Sequence, residues 1–195
     1  MTPERPFSNN LRDVAYIPRW VIARRNRQQY LAEHSYFVTL YADQISRLIM
    51  WSGDTTELMR YALYHDLDET ITGDIPGPAK RVGWHKKKAE EVINDTMTHK
   101  YGWDVSYARS RATGEAKAIV SAADSIDEVC YLCEELLLGN IWVSSVLTEA
   151  KKRLKIRWYN LPASRSILDG LWSQHLEDLI VDQHKRPTLL EDNMV

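Results

Sequence analysis

Cysteine is scarce in this chain: Cys130 and Cys133 are the only two among 195 residues, too few to build a disulfide scaffold. Eight glycines and seven prolines leave no room for a collagen-like or low-complexity chain. No apolar run reaches the length of a bilayer crossing, since even YLCEELLLGNIWVSSVL is interrupted by Glu134, Glu135 and Asn140; a membrane-spanning segment is not expected. Neither sign of charge dominates. With 25 basic and 27 acidic side chains the net charge is −2, so nothing global suggests a nucleic-acid polymer or a polybasic membrane anchor as partner, and any anionic ligand must be caught locally. The first ten residues, MTPERPFSNN, lack the apolar centre of a signal peptide, and a reducing cytoplasm is the expected compartment.

What is present is the composition of a folded globular protein, 44% hydrophobic and 27% charged. The length fits one domain over residues 1–195, with a core at about 15–184 and loose ends. Apolar residues recur at helical spacing. Over 33–51, Phe37, Val38, Tyr41, Ile45, Leu48 and Ile49 form a stripe, which overrules the strand-like YFVTLY. Thr55 or Thr56 caps a second helix running through ELMRYALYHDLDE. Two prolines and two glycines within 72–78 then force a loop. Further helices are expected over 86–100, 115–138 (stopped by Gly139-Asn140), 143–158 and 164–184. Alternating strand patterns and hairpin dipeptides are missing. The reading is all-α, a single helical bundle of roughly six or more helices.

The stretch His65-Asp66-Leu67-Asp68-Glu69 gathers one imidazole and several carboxylates. On a continuous helix His65 and Glu69 share a face, with Asp66 adjacent. Taken alone, the stretch more often describes a solvated helix end. His34 opens the first apolar stripe and points inward, as a hydrogen-bonded core histidine also would. Asp124 lies among Ala122, Ala123, Ile126 and Val129 in mid-helix, where an ionised carboxylate is expensive without a partner; a metal, Asp127 or an arginine would each meet that need. Together His34, His65, Asp66 and Asp124 offer the borderline donor set that suits Zn, Mn, Fe or Co rather than Ca, and four protein ligands leave room for water and a phosphate oxygen.

The ordered series Arg19-Trp20, Glu33-His34-Ser35, His65-Asp66-x-x-Glu69, Thr72-Gly73-Asp74-Ile75-Pro76-x-Pro78-x-Lys80, Lys117 and Ala123-Asp124, followed by CYLCEELLLGN, resembles the HD-domain metal-dependent phosphohydrolases. Within them it is similar to the small bacterial YfbR-like 5′-deoxynucleotidases and their phage relatives, over roughly residues 15–140. The resemblance implies an HD-domain helical bundle, at least dimeric, in which His34, His65, Asp66 and Asp124 hold one divalent metal: Zn, Co or Mn, with Mg also admitted. It implies that Glu69 orients the attacking water or handles its proton, and that Asp74 meets the sugar and favours deoxyribose. Arg19, Lys80 and Lys117 would hold phosphate oxygens, Trp20 and Ile22 would lie near the base or sugar, and Pro78 would wall the sugar pocket. The family often has a small hydroxyl residue where this chain has Ala32, so the helix cap comes from elsewhere or the helix begins earlier.

The expected activity is hydrolysis of the 5′-phosphate of deoxynucleoside monophosphates. The alternative is removal of triphosphate from dNTPs, as DatZ-like phage relatives do with dATP; Arg24, Arg25, Arg27 and the apolar Ile22 keep it open. A non-catalytic helical protein stapled by a metal is the lower alternative. Cys130-x-x-Cys133 lacks a second pair and reads as two small buried residues. Trp142, Trp158 and Trp172 fit packing or a subunit interface better than base stacking.

Overall fold

Helix α1 (Leu31–Leu48) begins two residues ahead of Glu33, with Tyr30 as an N-cap that makes no side-chain capping bond. Its first amide is satisfied from a distance: Leu31 N donates to Ile17 O at 2.9 Å, and Arg19 N donates to Gln29 O at 3.0 Å. The segment 18–30 is thereby closed into a loop by an isolated antiparallel bridge between Pro18 and Tyr30, after an opening 3₁₀ helix, Asn9–Tyr16. The computed structural model describes residues 9–77, 96 and 111–176. Expectations on the helix at 86–100, on Pro78 and Lys80, and on the two chain ends fall outside the described residues in whole or in most part.

Five more α-helices follow among the described residues: α2 (Thr55–Tyr64), α3 (Glu69–Thr72), α4 (Gly114–Leu137), α5 (Ser144–Trp158) and α6 (Arg165–Leu171). A short 3₁₀ segment, Ile141–Val143, precedes α5, and a π-helical turn, Trp172–Leu176, continues α6. None of the described residues forms a named strand. No helix among them is long and apolar enough to cross a membrane.

The buried side of α1 is Leu31, His34, Ser35, Val38, Ala42, Ile45 and Ser46. Phe37 and Leu48, expected in that stripe, stand at the surface instead. Small residues at 35, 42 and 46 let neighbouring backbones come close, so apolar letters alone misplace the inward face by part of a turn. The helix also ends three residues sooner than expected, because Met50 takes a left-handed conformation (φ 51°) and Trp51 N reaches back to Ser46 O at 2.8 Å. Asp54, rather than either threonine, caps α2 by accepting from Glu57 N.

Helix α4 is the axis of the molecule, buried on most of its circumference. It packs against α1 on one side and α5 on the other, with α2 leaning on α1. Thr113 caps it through Ala116 N, and Gly139, at φ +85°, turns the chain out, as the Gly139-Asn140 stop predicts. On α5, Leu147, Ala150, Leu154 and Trp158 face inward at spacings of three and four. The Trp158 indole donates to Leu168 O at 3.0 Å, which pins α6 to the bundle. Trp158 is thus packing, whereas Trp142 is exposed and lies beneath the Arg24 guanidinium.

Among the ties of the loop 18–30 to α4, one carboxylate gathers the backbone of its middle. Glu135, fully buried, accepts from Asn26 N, Arg27 N and Asn140 Nδ2, each at 2.7 Å. Burial would raise its carboxyl, but these donors outweigh burial and hold it below its ordinary value. A group whose folded pKa is depressed stabilises the protein above its unfolded pKa and ceases to do so as pH falls through the folded one. Glu135→Gln should therefore lower the unfolding free energy at pH 7 by about 1–3 kcal/mol. Urea titration at pH 7 and at pH 3.5 should show the deficit shrinking in acid.

Candidate metal centre

Helix α2 stops at Tyr64, and the next residues tighten into a turn in which Leu67 N bonds Tyr64 O and Glu69 N bonds Asp66 O. The single helix expected through Glu69 is thus broken, since these i to i−3 bonds wind the chain more tightly than an α-helix. The break still turns His65, Asp66 and Glu69 toward α1 and α4. His65 Nδ1 donates to Ala62 O at 2.8 Å; a carbonyl can only accept, so Nδ1 carries the proton and Nε2 presents its lone pair.

His34 approaches from α1. Its Nδ1 lies 2.6 Å from Asp127 Oδ2, and its Nε2, buried, makes no hydrogen bond. Around that atom stand Asp66 Oδ2 at 3.7 Å and Asp124 Oδ1 at 3.5 Å. His65 Nε2 is 3.3 Å from the same Asp66 oxygen. Neighbouring ligands of an ion bound at 2.0–2.2 Å sit about 3.0–3.4 Å apart, so these separations suit a single cation. His34, His65 and Asp66 bring their ligand atoms within 4.8 Å of one another, and Asp124 joins them from α4. A buried imidazole nitrogen with no donor to accept from, facing two carboxylates, fits a divalent metal.

Electrostatics agree with the geometry. Burial opposes charge on every member, yet Asp66 outweighs it at His65 and lifts that imidazole to about 9. Conversely, the histidine charges hold Asp66 and Asp124 below the usual carboxylate range despite burial. The cluster prefers a positive charge at its centre, where a proton and a metal ion compete. Arg157, from α5, grips Asp124 Oδ2 at 2.7 Å and also donates to Ser125 Oγ and Ser121 O. The arginine bridge weighed from sequence is therefore real, but it engages one oxygen and leaves Oδ1 facing His34.

The remaining residues flank this centre unequally. Arg19 points NH1 at Asp66 Oδ2 (3.3 Å) and Glu69 Oε2 (3.5 Å). Its Nε has no hydrogen-bond partner. Burial disfavours its charge, yet the surrounding carboxylates hold it more firmly protonated than a free guanidinium. Glu69 is buried at the head of α3. Asp74 follows Gly73, whose φ of 71° turns the chain, and accepts from Trp20 N at 2.8 Å. Trp20 itself has φ 61°, which costs a bulky residue about 1–2 kcal/mol. The bond to Asp74, the Nε1 bond to Gln29 at 3.0 Å and stacking on Tyr131 at 5.2 Å together exceed that cost. Ile22 is mostly exposed, at the rim rather than in a pocket. Lys117 is exposed on α4, two turns ahead of Asp124 and about 10 Å away along the axis.

Three contributors escaped the sequence reading, Gln29, Glu135 and Arg157, while Asp127, weighed there as a partner of Asp124, meets His34 instead. Arg157 lies beyond residues 15–140, the stretch that carries the resemblance, yet reaches into the cluster. Arg27, considered for a phosphate cradle, is committed to Glu33 and Glu134, Arg25 to Trp20 O, and Arg24 to the Trp142 face.

The family model described as 5′-deoxynucleotidase YfbR-like matches residues 6–168. The chain belongs to this family. Among YfbR-like relatives, a 5′-deoxynucleotidase of Pectobacterium atrosepticum is 26% identical over 165 residues, covering 77% of this chain and 83% of its own. One from Yersinia pestis is 27% identical, covering 77% and 84%. Among solved structures, the HD phosphohydrolase DatZ of cyanophage S-2L, bound to dA and one catalytic Zn²⁺ ion, aligns with TM-score 0.68 at 21% identity, over 87% of this chain and 94% of that one. A Pyrococcus horikoshii protein aligns with TM-score 0.63 at 20% identity, over 84% and 93%. These two share the fold.

Because Arg157 fixes one oxygen of Asp124, Arg157→Leu should free that carboxylate to rotate. Co²⁺ affinity, measured against a competing chelator, should weaken about tenfold while the helical circular dichroism stays unchanged.

Proposed function

We propose that this HD-domain phosphohydrolase is a cytoplasmic 5′-deoxynucleotidase that converts a deoxynucleoside monophosphate and water into a deoxynucleoside and phosphate, using one divalent ion held by His34, His65, Asp66 and Asp124. The observation that carries the reading is the convergence of these donors beside a buried Glu69 and a half-buried Arg19, in a chain of the YfbR-like family. A purely structural metal would need neither neighbour.

The ion, Zn, Co or Mn and also Mg, supplies a Lewis acid that polarises a phosphate oxygen and acidifies a water. Glu69 orients the attacking water and takes its proton. The new P–O bond forms as the P–O5′ bond breaks, and the departing 5′-oxygen takes up a proton. Arg19 offers its fork to the phosphate oxygens, exchanging carboxylates for phosphate; Lys117 and Lys80 add point charges. Asp74, already holding the Trp20 backbone, is set to sense the 2′ and 3′ positions of the sugar, with Trp20, Ile22 and Pro78 shaping its surroundings. The engagement of Arg24, Arg25 and Arg27 elsewhere favours a monophosphate over a triphosphate. Assembly into a homodimer belongs to the same reading, supported by exposed Leu137, Leu138, Ile141 and Trp142 clustered after α4.

The experiment is a screen of dNMPs, dNTPs and ribonucleotides with Co²⁺, Mn²⁺, Zn²⁺ and Mg²⁺, reading phosphate, pyrophosphate and triphosphate separately. Phosphate from dNMPs is expected; triphosphate release would establish the alternative, and equal rates on AMP and dAMP would remove the sugar-sensing role of Asp74. Glu69→Gln should lower kcat at least 100-fold with metal content unchanged by elemental analysis.

A further inference from the structure

Two buried polar side chains, Gln29 and Asp127, lie behind the donor His34, and no part of the hydrolytic reading accounts for them. Gln29, His34 and Asp127 are all at most 4% exposed. Asp127 Oδ2 receives both His34 Nδ1, at 2.6 Å, and Gln29 Nε2, at 2.9 Å. Gln29 Oε1 in turn accepts from Trp20 Nε1 at 3.0 Å. The result is an unbroken line of hydrogen bonds from the indole of Trp20 to the imidazole of His34.

The direction of that line is determined by chemistry. An indole N–H only donates, so Gln29 must turn its oxygen to Trp20 and its amide nitrogen to Asp127. An ionised carboxylate only accepts, so His34 must carry its proton on Nδ1. Nε2 is then left with a lone pair and no hydrogen-bond partner, aimed at the donor cluster. Burying such a network is costly unless every member is satisfied, and here each bond leaves the next group only one role.

We propose that Asp127 and Gln29 are positioning residues forming a relay in which Trp20, on the nucleotide side, fixes the tautomer and ring orientation of His34, on the metal side. The proposal rests on the metal-centre reading above. The relay also explains why Trp20 is held in a left-handed backbone (φ 61°): the same residue is tied to Asp74 through its backbone and to His34 through its ring. Occupancy of the nucleotide pocket and affinity for the metal are thereby coupled through one side chain that touches no metal ligand directly.

The test measures Co²⁺ affinity of the metal-stripped full chain, without nucleotide, by visible absorption and chelator competition. Asp127→Asn keeps the shape but loses the charge, and should weaken binding 10- to 100-fold. Trp20→Phe keeps the ring but removes the indole donor, and Gln29→Met removes both amide contacts; each should weaken binding at least about threefold. The double variant of Gln29 and Asp127 should lose less than the product of the two single effects. Glu128→Gln, next to Asp127 on α4 but paired with Arg153, should leave Co²⁺ affinity as it was. If Asp127→Asn folds poorly by thermal melting, Trp20→Phe and Gln29→Met decide. Binding within twofold of the parent in Trp20→Phe and Gln29→Met overturns the relay. Asp124→Ala separates the two levels: its loss of Co²⁺ binding alongside unaffected relay variants refutes the relay alone, whereas a parent chain that binds no Co²⁺ overturns the metal-centre reading and the relay together.

Discussion

A buried imidazole has two nitrogens and two partners to find, and at His34 the carboxylate of Asp127 claims one of them. The other is left facing Asp66 and Asp124 across 3.5–3.7 Å. Much of the architecture follows from keeping that arrangement. Helix α1 must start early enough to bury His34, so its first amide is satisfied by Ile17 rather than by a side-chain cap. Helix α4 must carry both Asp124 and Asp127 inward, which requires neighbours on two sides. Helix α2 must break at His65 so that Asp66 can reach the same point.

The four residues that converge here were singled out by their order and spacing in a family resemblance, since each alone also had an ordinary reading: a core histidine, a solvated His-Asp helix end, an aspartate met by an arginine. Their supports were not. Periodicity places Asp127 and Glu135 on a helix and even on a side of it, but says nothing about which distant group they meet. Glu135 reads as one of two glutamates in CYLCEELLLGN, yet Glu134 is exposed and Glu135 holds two backbone amides of a loop more than a hundred residues away in sequence. Arg157 reads as one of several basic residues on an exposed helix face until α5 is laid against α4.

The same limit applies to the fold. Helix existence was readable from spacing, and the Gly139-Asn140 stop from backbone chemistry. The stop at Met50 was not, because a methionine gives no local warning of a left-handed conformation. The break after Tyr64 was not either, since ELMRYALYHDLDE has no helix breaker; tertiary demand on His65 and Asp66 overrides a continuous helical pattern. Functional geometry and local propensity disagree there, as is common where a site is built.

Helix α4 also acts as a ruler. Asp124 and Glu135 are eleven residues apart, three turns within about 20° of rotation and roughly 16 Å along the axis, so one face sets Asp124 beside His34 at one mark and the anchor of the 18–30 loop at another. An insertion of a single residue between them would swing one mark by about 100° relative to the other and draw Arg19, carried on that loop, away from Asp66 and Glu69.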